Sequence, residues 1–214
     1  MRRTREELID ELADDLTPTR GPRRVESLVA IWLVVSWLLV IGVTLWTAPL
    51  RENWLGQLLS SPRFLVECLL GLLAGGATIA GAFALGVPGP GRALRRLLLP
   101  LGLLGLWVGA YLLDLFLPAL EPSPAGMRNG CTFQVVIYGL PPLLLGLAFL
   151  RRLAPLDRAW TGAVVGAAAG AIPALLMQLA CMYVPEHILV HHLAPVLLLV
   201  ALGAGLGAVV LRRV

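Results

Sequence analysis

Lysine is absent from this chain; all seventeen of its basic residues are arginines. Cysteine is scarce, with three in 214 residues and no C-x-x-C pair, which excludes a disulfide scaffold. Charged residues make up only 14% of the chain and aromatics 7%, against 58% hydrophobic residues. With a mean hydropathy of +0.83, that composition excludes an ordinary soluble domain. No charge falls in the middle of a long apolar run, which argues against a proton or ion path. The sequence pI of 9.5 invites a nucleic-acid partner, but no motif that reads bases accompanies the arginines. No direct contact with nucleic acid is expected.

What remains is six long apolar stretches, approximately Ser27–Ala48, Phe64–Val87, Leu97–Leu117, Phe133–Leu150, Trp160–Leu179 and Ile188–Leu211. Each approaches or exceeds the roughly 20 residues a helix needs to cross a bilayer. The expected fold is all-α: a polytopic membrane protein with a six-helix transmembrane bundle over 25–214, preceded by an arm over 1–24. The arginines alternate between the gaps. Six lie in the N-terminal arm (Arg2, Arg3, Arg5, Arg20, Arg23, Arg24) and three in the second loop (Arg92, Arg95, Arg96). Three more lie in the fourth loop (Arg151, Arg152, Arg158) and two at the C-terminal tip (Arg212, Arg213). The other three gaps hold only Arg51, Arg63 and Arg128. By the positive-inside rule both termini face the cytoplasm. The clusters suit anionic lipid headgroups, and the lipid bilayer is the first expected partner. A cleaved signal peptide is not expected, because the first apolar run is long and follows a 24-residue polar arm rich in acids.

The arm contains a short amphipathic helix at residues 4–16. Thr4 and Glu7 form a capping box at its start, and Pro18 forces it to stop. Leu8, Ile9, Leu12, Ala13 and Leu16 share one face, while six carboxylates fill the remainder. An acidic helix repels anionic lipid, so its apolar stripe calls for the chain's own cytoplasmic loops or a separate protein with a basic-rimmed groove. The tether at 17–24 reaches at most ~28 Å, keeping any partner near the membrane.

With the N-terminus inside, the outer side gathers the reactive groups. Cys131 ends loop three just before span four, Cys181 lies at the end of span five, and Cys68 lies about one turn inside the outer end of span two. All three histidines, His187, His191 and His192, follow Cys181. Buried inert thiols, a disulfide, and a soft-metal or redox sensor all fit this arrangement. Gly130 and Ala180 precede the two cysteines, so no histidine adjoins either one in sequence. Glu67 and Asp114 lie near the outer interface, where a carboxylate reaches water or a basic partner. Small-x-x-x-small runs in spans two, five and six predict close helix packing within one bundle, and Gly139-Leu140-Pro141-Pro142 predicts a kink in span four.

Three features together resemble the NrsF family of bacterial integral-membrane anti-sigma factors. The first is the acidic helix running into Leu16-Thr17-Pro18-Thr19-Arg20. The second is Ser61-Pro62-Arg63-Phe64 with Glu67, followed after the span by Val87-Pro88-Gly89. The third is the spacing of Cys131 and Cys181, with Pro185 and the histidines beyond. The resemblance implies a protein that is not an enzyme, needs no cofactor, and holds an extracytoplasmic-function sigma factor inactive at the membrane. It implies Leu8, Ile9, Leu12, Asp15 and Leu16 as the sigma-binding segment. Cys131 and Cys181 are the implied sensing thiols for metal or oxidative stress, with His187 and His191 as accessory groups and any metal unspecified. A membrane thiol–disulfide oxidoreductase is the alternative, weakened by the missing C-x-x-C. A small transporter is weaker still, for want of a polar path.

Overall fold

The computed structural model describes residues 4–14, 25–47, 49–87, 93–153 and 155–212. Helix α1 spans Arg5–Asp14 and is closed by the expected capping box. The Thr4 amide donates to Glu7 Oε2 at 2.9 Å and the Glu7 amide to Thr4 Oγ1 at 3.3 Å, satisfying two otherwise orphaned donors. Six further stretches are long and apolar enough to cross a membrane: Val25–Thr47, Pro62–Leu85, Arg95–Asp114, Cys131–Leu150, Arg158–Ala180 and Pro185–Val210. We label α2 Val25–Thr47, α3 Trp54–Ser60, α4 Pro62–Leu85, α5 Ala93–Asp114, α6 Cys131–Leu150 and α7 Arg158–Ala180. The sixth span starts as α8 (Pro185–His187), passes through a π turn (Ile188–Leu193) and ends as α9 (Val196–Val210). The protein is a multi-pass membrane protein. The short α3 lies in the first loop, where the sequence pattern gave no helix.

Local chemistry sets several of these boundaries. Ser61 caps α4, accepting from the Phe64 amide at 3.3 Å, and Pro62 takes the first helical position, where its missing N–H does no harm. Asp157 caps α7 in the same way, accepting from Trp160 at 3.0 Å. Pro141 and Pro142 lie inside α6, which nevertheless runs from Cys131 to Leu150. The Trp32 indole donates to the Pro142 carbonyl at 2.9 Å, tying α2 to α6 in the apolar interior.

Span five is the core. Some 89% of its apolar stretch is buried, against 28–44% for the other five spans. Its Gly/Ala composition permits this, because small side chains let neighbouring backbones approach. At the seam between α7 and α9, Gly162 sits against the Gly203 carbonyl, and Gly166 against the Leu199 carbonyl. A β-carbon at any of Gly162, Gly166 or Gly203 would collide with backbone of the opposing helix. The glycine spacing therefore serves packing within the bundle. Large apolar side chains cover the outside, with Trp46 90% and Phe116 82% exposed near one end, as an aromatic belt at a membrane interface would be.

Candidate functional site

Loops one, three and five meet at one end of the bundle, and the outlying arginines are built into it. Arg51 and Arg128 are buried, with 4% and 7% of their surface exposed. Arg51 Nη1 donates to the Cys181 carbonyl at 2.6 Å, and the Arg51 amide to the Leu179 carbonyl at 3.2 Å. Arg128 Nε donates to the Ala180 carbonyl at 3.1 Å and its Nη2 to the Pro49 carbonyl at 2.5 Å. Consecutive carbonyls at the end of α7 thus receive donors from two other loops. This satisfies the orphaned acceptors and places cations at the negative end of the helix dipole.

The clamp fixes Cys181. Gly130, in the left-handed region at φ 81°, turns loop three into α6 so that Cys131 becomes its first residue. The two sulfurs approach to 3.2 Å, well beyond the ~2.05 Å of a disulfide, and both thiols are free and buried. Cys131 Sγ also donates to the Arg128 carbonyl at 3.4 Å. The adjoining Cys131 thiol, aided by His192 and opposed by burial, draws the Cys181 thiol below the usual thiol range.

The histidines come from the sixth span. His187 Nε2 lies 3.6 Å from Cys181 Sγ. Beyond it the backbone widens, with the Ala194 amide reaching five residues back to the Leu189 carbonyl. Such π turns recur at functional sites. Here the wider turn lets His192 join His187 (ring centroids 5.1 Å apart) although five residues separate them. One ligand atom from each of Cys131, Cys181, His187 and His192 falls within 4.8 Å of all the others. His191 instead stacks on His187 at 4.6 Å, and its Nδ1 lies 2.9 Å from Thr132 Oγ1.

A second cluster adjoins the first. Tyr183, two residues beyond Cys181, places its hydroxyl 2.9 Å from Asp114 Oδ2 and 3.4 Å from Glu67 Oε2, and accepts from the Ala119 amide at 3.1 Å. Arg63 Nη2 meets Asp114 Oδ1 at 2.6 Å, and its Nε lies 3.8 Å from Glu67 Oε1. Glu67 and Asp114 are therefore buried around Arg63 and Tyr183; of the two outlets the sequence offered, water or a basic partner, the structure shows the basic partner, Arg63. The Tyr183 carbonyl accepts from the Ser123 amide at 2.9 Å, binding loop five to loop three. Spans two, three, four, five and six all meet within these few residues.

Residues 12–212 match the family described as NrsF, negative regulator of sigma F. The chain belongs to the NrsF family. It is 29% identical over 190 residues, 85% of each chain, to the anti-sigma-F factor NrsF of Caulobacter vibrioides (strain NA1000 / CB15N). No solved structure matches it.

Within this NrsF-family chain the two expected thiols come together, although fifty residues separate them. His187 joins them, whereas His191 turns to Thr132. His192 was missed by sequence reasoning, and the cause is geometric. Counting in steps of 3.6 puts residues 187 and 191 on one face and turns 192 away; only the π turn reverses that. Pro195 is the one local hint, since it cannot donate to the His191 carbonyl and disturbs the regular ladder. Cys68 remains half-buried on α4. In the arm, Leu8, Ile9 and Leu12 lie on α1 and the Ile9 side chain is 54% exposed. Asp15, Leu16 and the tether at 17–24 lie outside the described residues.

Proposed function

We propose that this protein is a membrane-embedded anti-sigma factor. Its N-terminal acidic helix holds an extracytoplasmic-function sigma factor at the cytoplasmic face and lets it go when Cys131 and Cys181, on the outer face, change chemical state. The observation that carries the proposal is the match to a family of sigma-factor regulators across residues 12–212. An acidic helix suits this partner electrostatically, because a sigma factor must expose a cationic surface to bind DNA. The exposed Ile9 supplies an apolar contact on that helix.

The sensing step has balanced chemistry in either of two forms. Hydrogen peroxide takes two electrons and two protons from the paired thiols, leaving one disulfide and two waters. Alternatively, a thiophilic cation displaces the two thiol protons. Either change moves the two sulfurs from their 3.2 Å separation, a disulfide drawing them together to about 2.05 Å and a shared cation spreading them to roughly 3.7 Å. The strain passes from Cys181 to Tyr183, and from Tyr183 to Asp114 and Glu67 on spans three and two. Shifting a population from 1:99 to 99:1 needs about 5.5 kcal/mol of differential stabilisation, within reach of a covalent or coordinate bond.

Deleting residues 1–20 should abolish co-purification of the sigma factor from membranes of the native bacterium while leaving the bundle inserted. Retention of the sigma factor by the truncated protein would assign the contact elsewhere. Cys131→Ser combined with Cys181→Ser should leave the sigma factor bound under oxidant or metal stress; normal release from that variant would reduce both thiols to packing residues. A reporter fused at Met1 should be active only in the cytoplasm.

A further inference from the structure

We infer that Cys131, Cys181, His187 and His192 form a four-ligand site for one divalent cation of the zinc class. The inference deepens the proposed sensing role of the thiols, on which it rests, by naming what they hold. The four donors come from three different elements, yet one ligand atom of each lies within 4.8 Å of every other. Two thiolates and two imidazoles are the donor set that zinc, cadmium and cobalt(II) take in tetrahedral geometry. Bond lengths of about 2.3 Å to sulfur and about 2.0–2.1 Å to nitrogen imply edges of roughly 3.7 Å between sulfurs and roughly 3.6 Å between sulfur and nitrogen. The Cys181–His187 separation of 3.6 Å already has that length. The 3.2 Å between the sulfurs must open by about 0.5 Å.

His192 is the decisive residue. It is fully buried, and neither ring nitrogen meets hydrogen-bond geometry with any atom of the described residues. An imidazole taken from water without a well-formed hydrogen bond is destabilising, and a cation at the centre of the cluster removes that penalty. Charge selects the valence. A divalent cation binding two thiolates and two neutral imidazoles releases two thiol protons, leaving a site with no net charge. That neutrality makes burial tolerable beside the guanidinium groups of Arg51 and Arg128, whereas a trivalent ion would leave a positive charge. Calcium and magnesium are disfavoured because the cluster offers no oxygen donors. The surroundings hold the donors in place: Arg51 grips the Cys181 carbonyl, and Thr132 draws off His191. His187, only partly buried, marks the way in from solvent.

The test uses the full-length protein, purified in detergent under reducing conditions and stripped with a chelator, titrated with Co2+ and in parallel with Cd2+. One Co2+ per chain should bind, giving the intense visible bands of a tetrahedral ion and a thiolate-to-cobalt charge-transfer band. X-ray absorption on the Cd2+-loaded wild type should show two sulfur and two nitrogen neighbours. His192→Ala should weaken Co2+ binding by about 100-fold or more, beyond the 10–100-fold of an outer-shell change; His191→Ala should leave it unchanged. No binding to the folded, reduced protein would overturn the inference. So would a shell of sulfur and oxygen alone, a result that needs no variant to fold. Equal effects of the two histidine substitutions would overturn it as well. None of these readouts involves the sigma factor, whose capture by residues 1–20 is scored separately by co-purification. The two proposals can therefore fail independently.

Discussion

Two tyrosines provide a matched experiment on the network beneath the thiols. Both Tyr111 and Tyr183 are fully buried, and Phe can replace either without changing the ring's volume. The Tyr183 hydroxyl bonds to Asp114 at 2.9 Å and takes the Ala119 amide at 3.1 Å. Among the described residues the Tyr111 hydroxyl has no hydrogen-bond partner. A hydrogen bond to a charged acceptor contributes about 1.5–3 kcal/mol, and an orphaned buried amide costs about 1–3 kcal/mol. Ala119 is only half-buried, so water recovers part of the second amount. Tyr183→Phe should therefore destabilise the bundle by about 2–4 kcal/mol. Tyr111→Phe should be neutral or slightly stabilising, because it removes an unpaired buried polar group. For a protein of this length the difference corresponds to about 5–15 °C in Tm. Thermal unfolding of both variants in detergent, followed by circular dichroism, measures it directly. Equal melting temperatures would show that Tyr183 does not bind loop five to Asp114, and the mechanical route from the thiols to spans two and three would fall with it.

Other consequences are simpler to state. Gly203→Ala should cost about 1–3 kcal/mol by forcing α9 off the Gly162 carbonyl, whereas Gly205→Ala, facing open space, should be neutral or gain up to about 1 kcal/mol; chemical unfolding of the two variants compares them. Thr4→Ala removes one half of the capping box and should weaken α1 by about 1 kcal/mol, lowering sigma-factor affinity by up to about fivefold in a binding titration. Cys131 and Cys181, buried in the folded protein, should react slowly with a membrane-impermeant maleimide. Arg51→Ala deletes the donor on the Cys181 carbonyl and should speed that labelling by at least about tenfold, through easier opening of the loop. An unchanged rate would mean that Arg51 does not hold the site closed.

Much of this architecture is legible in the sequence because it depends on short-range properties. Each span is a run of apolar residues long enough to satisfy its own backbone in lipid, and the observed ends fall within about three residues of the hydropathy limits. The capping box at Thr4 and the stop at Pro18 are similarly local, although only the first lies in a described segment. Long-range facts were less accessible. Arg51, Arg63 and Arg128 look in the sequence like three exceptions to an alternating charge pattern. In the structure each is engaged, two on the carbonyls ending α7 and one with a pair of buried carboxylates. Glu67 and Asp114 were expected to meet water or a basic partner, and only the structure selects Arg63, because position along a span gives depth but not the direction a side chain faces.

The sequence by itself determined how many membrane-crossing stretches there are, roughly where they begin and end, and that cysteine and histidine gather at one end. Hydropathy and backbone satisfaction are sums over neighbouring residues, so no other part of the chain is needed to evaluate them. Only the tertiary structure decided that span five is the core, that Cys131 meets Cys181, and that His192 rather than His191 completes the cluster. Those outcomes depend on how each helix is rotated about its axis and on one widened turn at Ile188–Leu193. A rotation of about 100° moves a side chain from one neighbour to the next, and nothing local in the chain sets it.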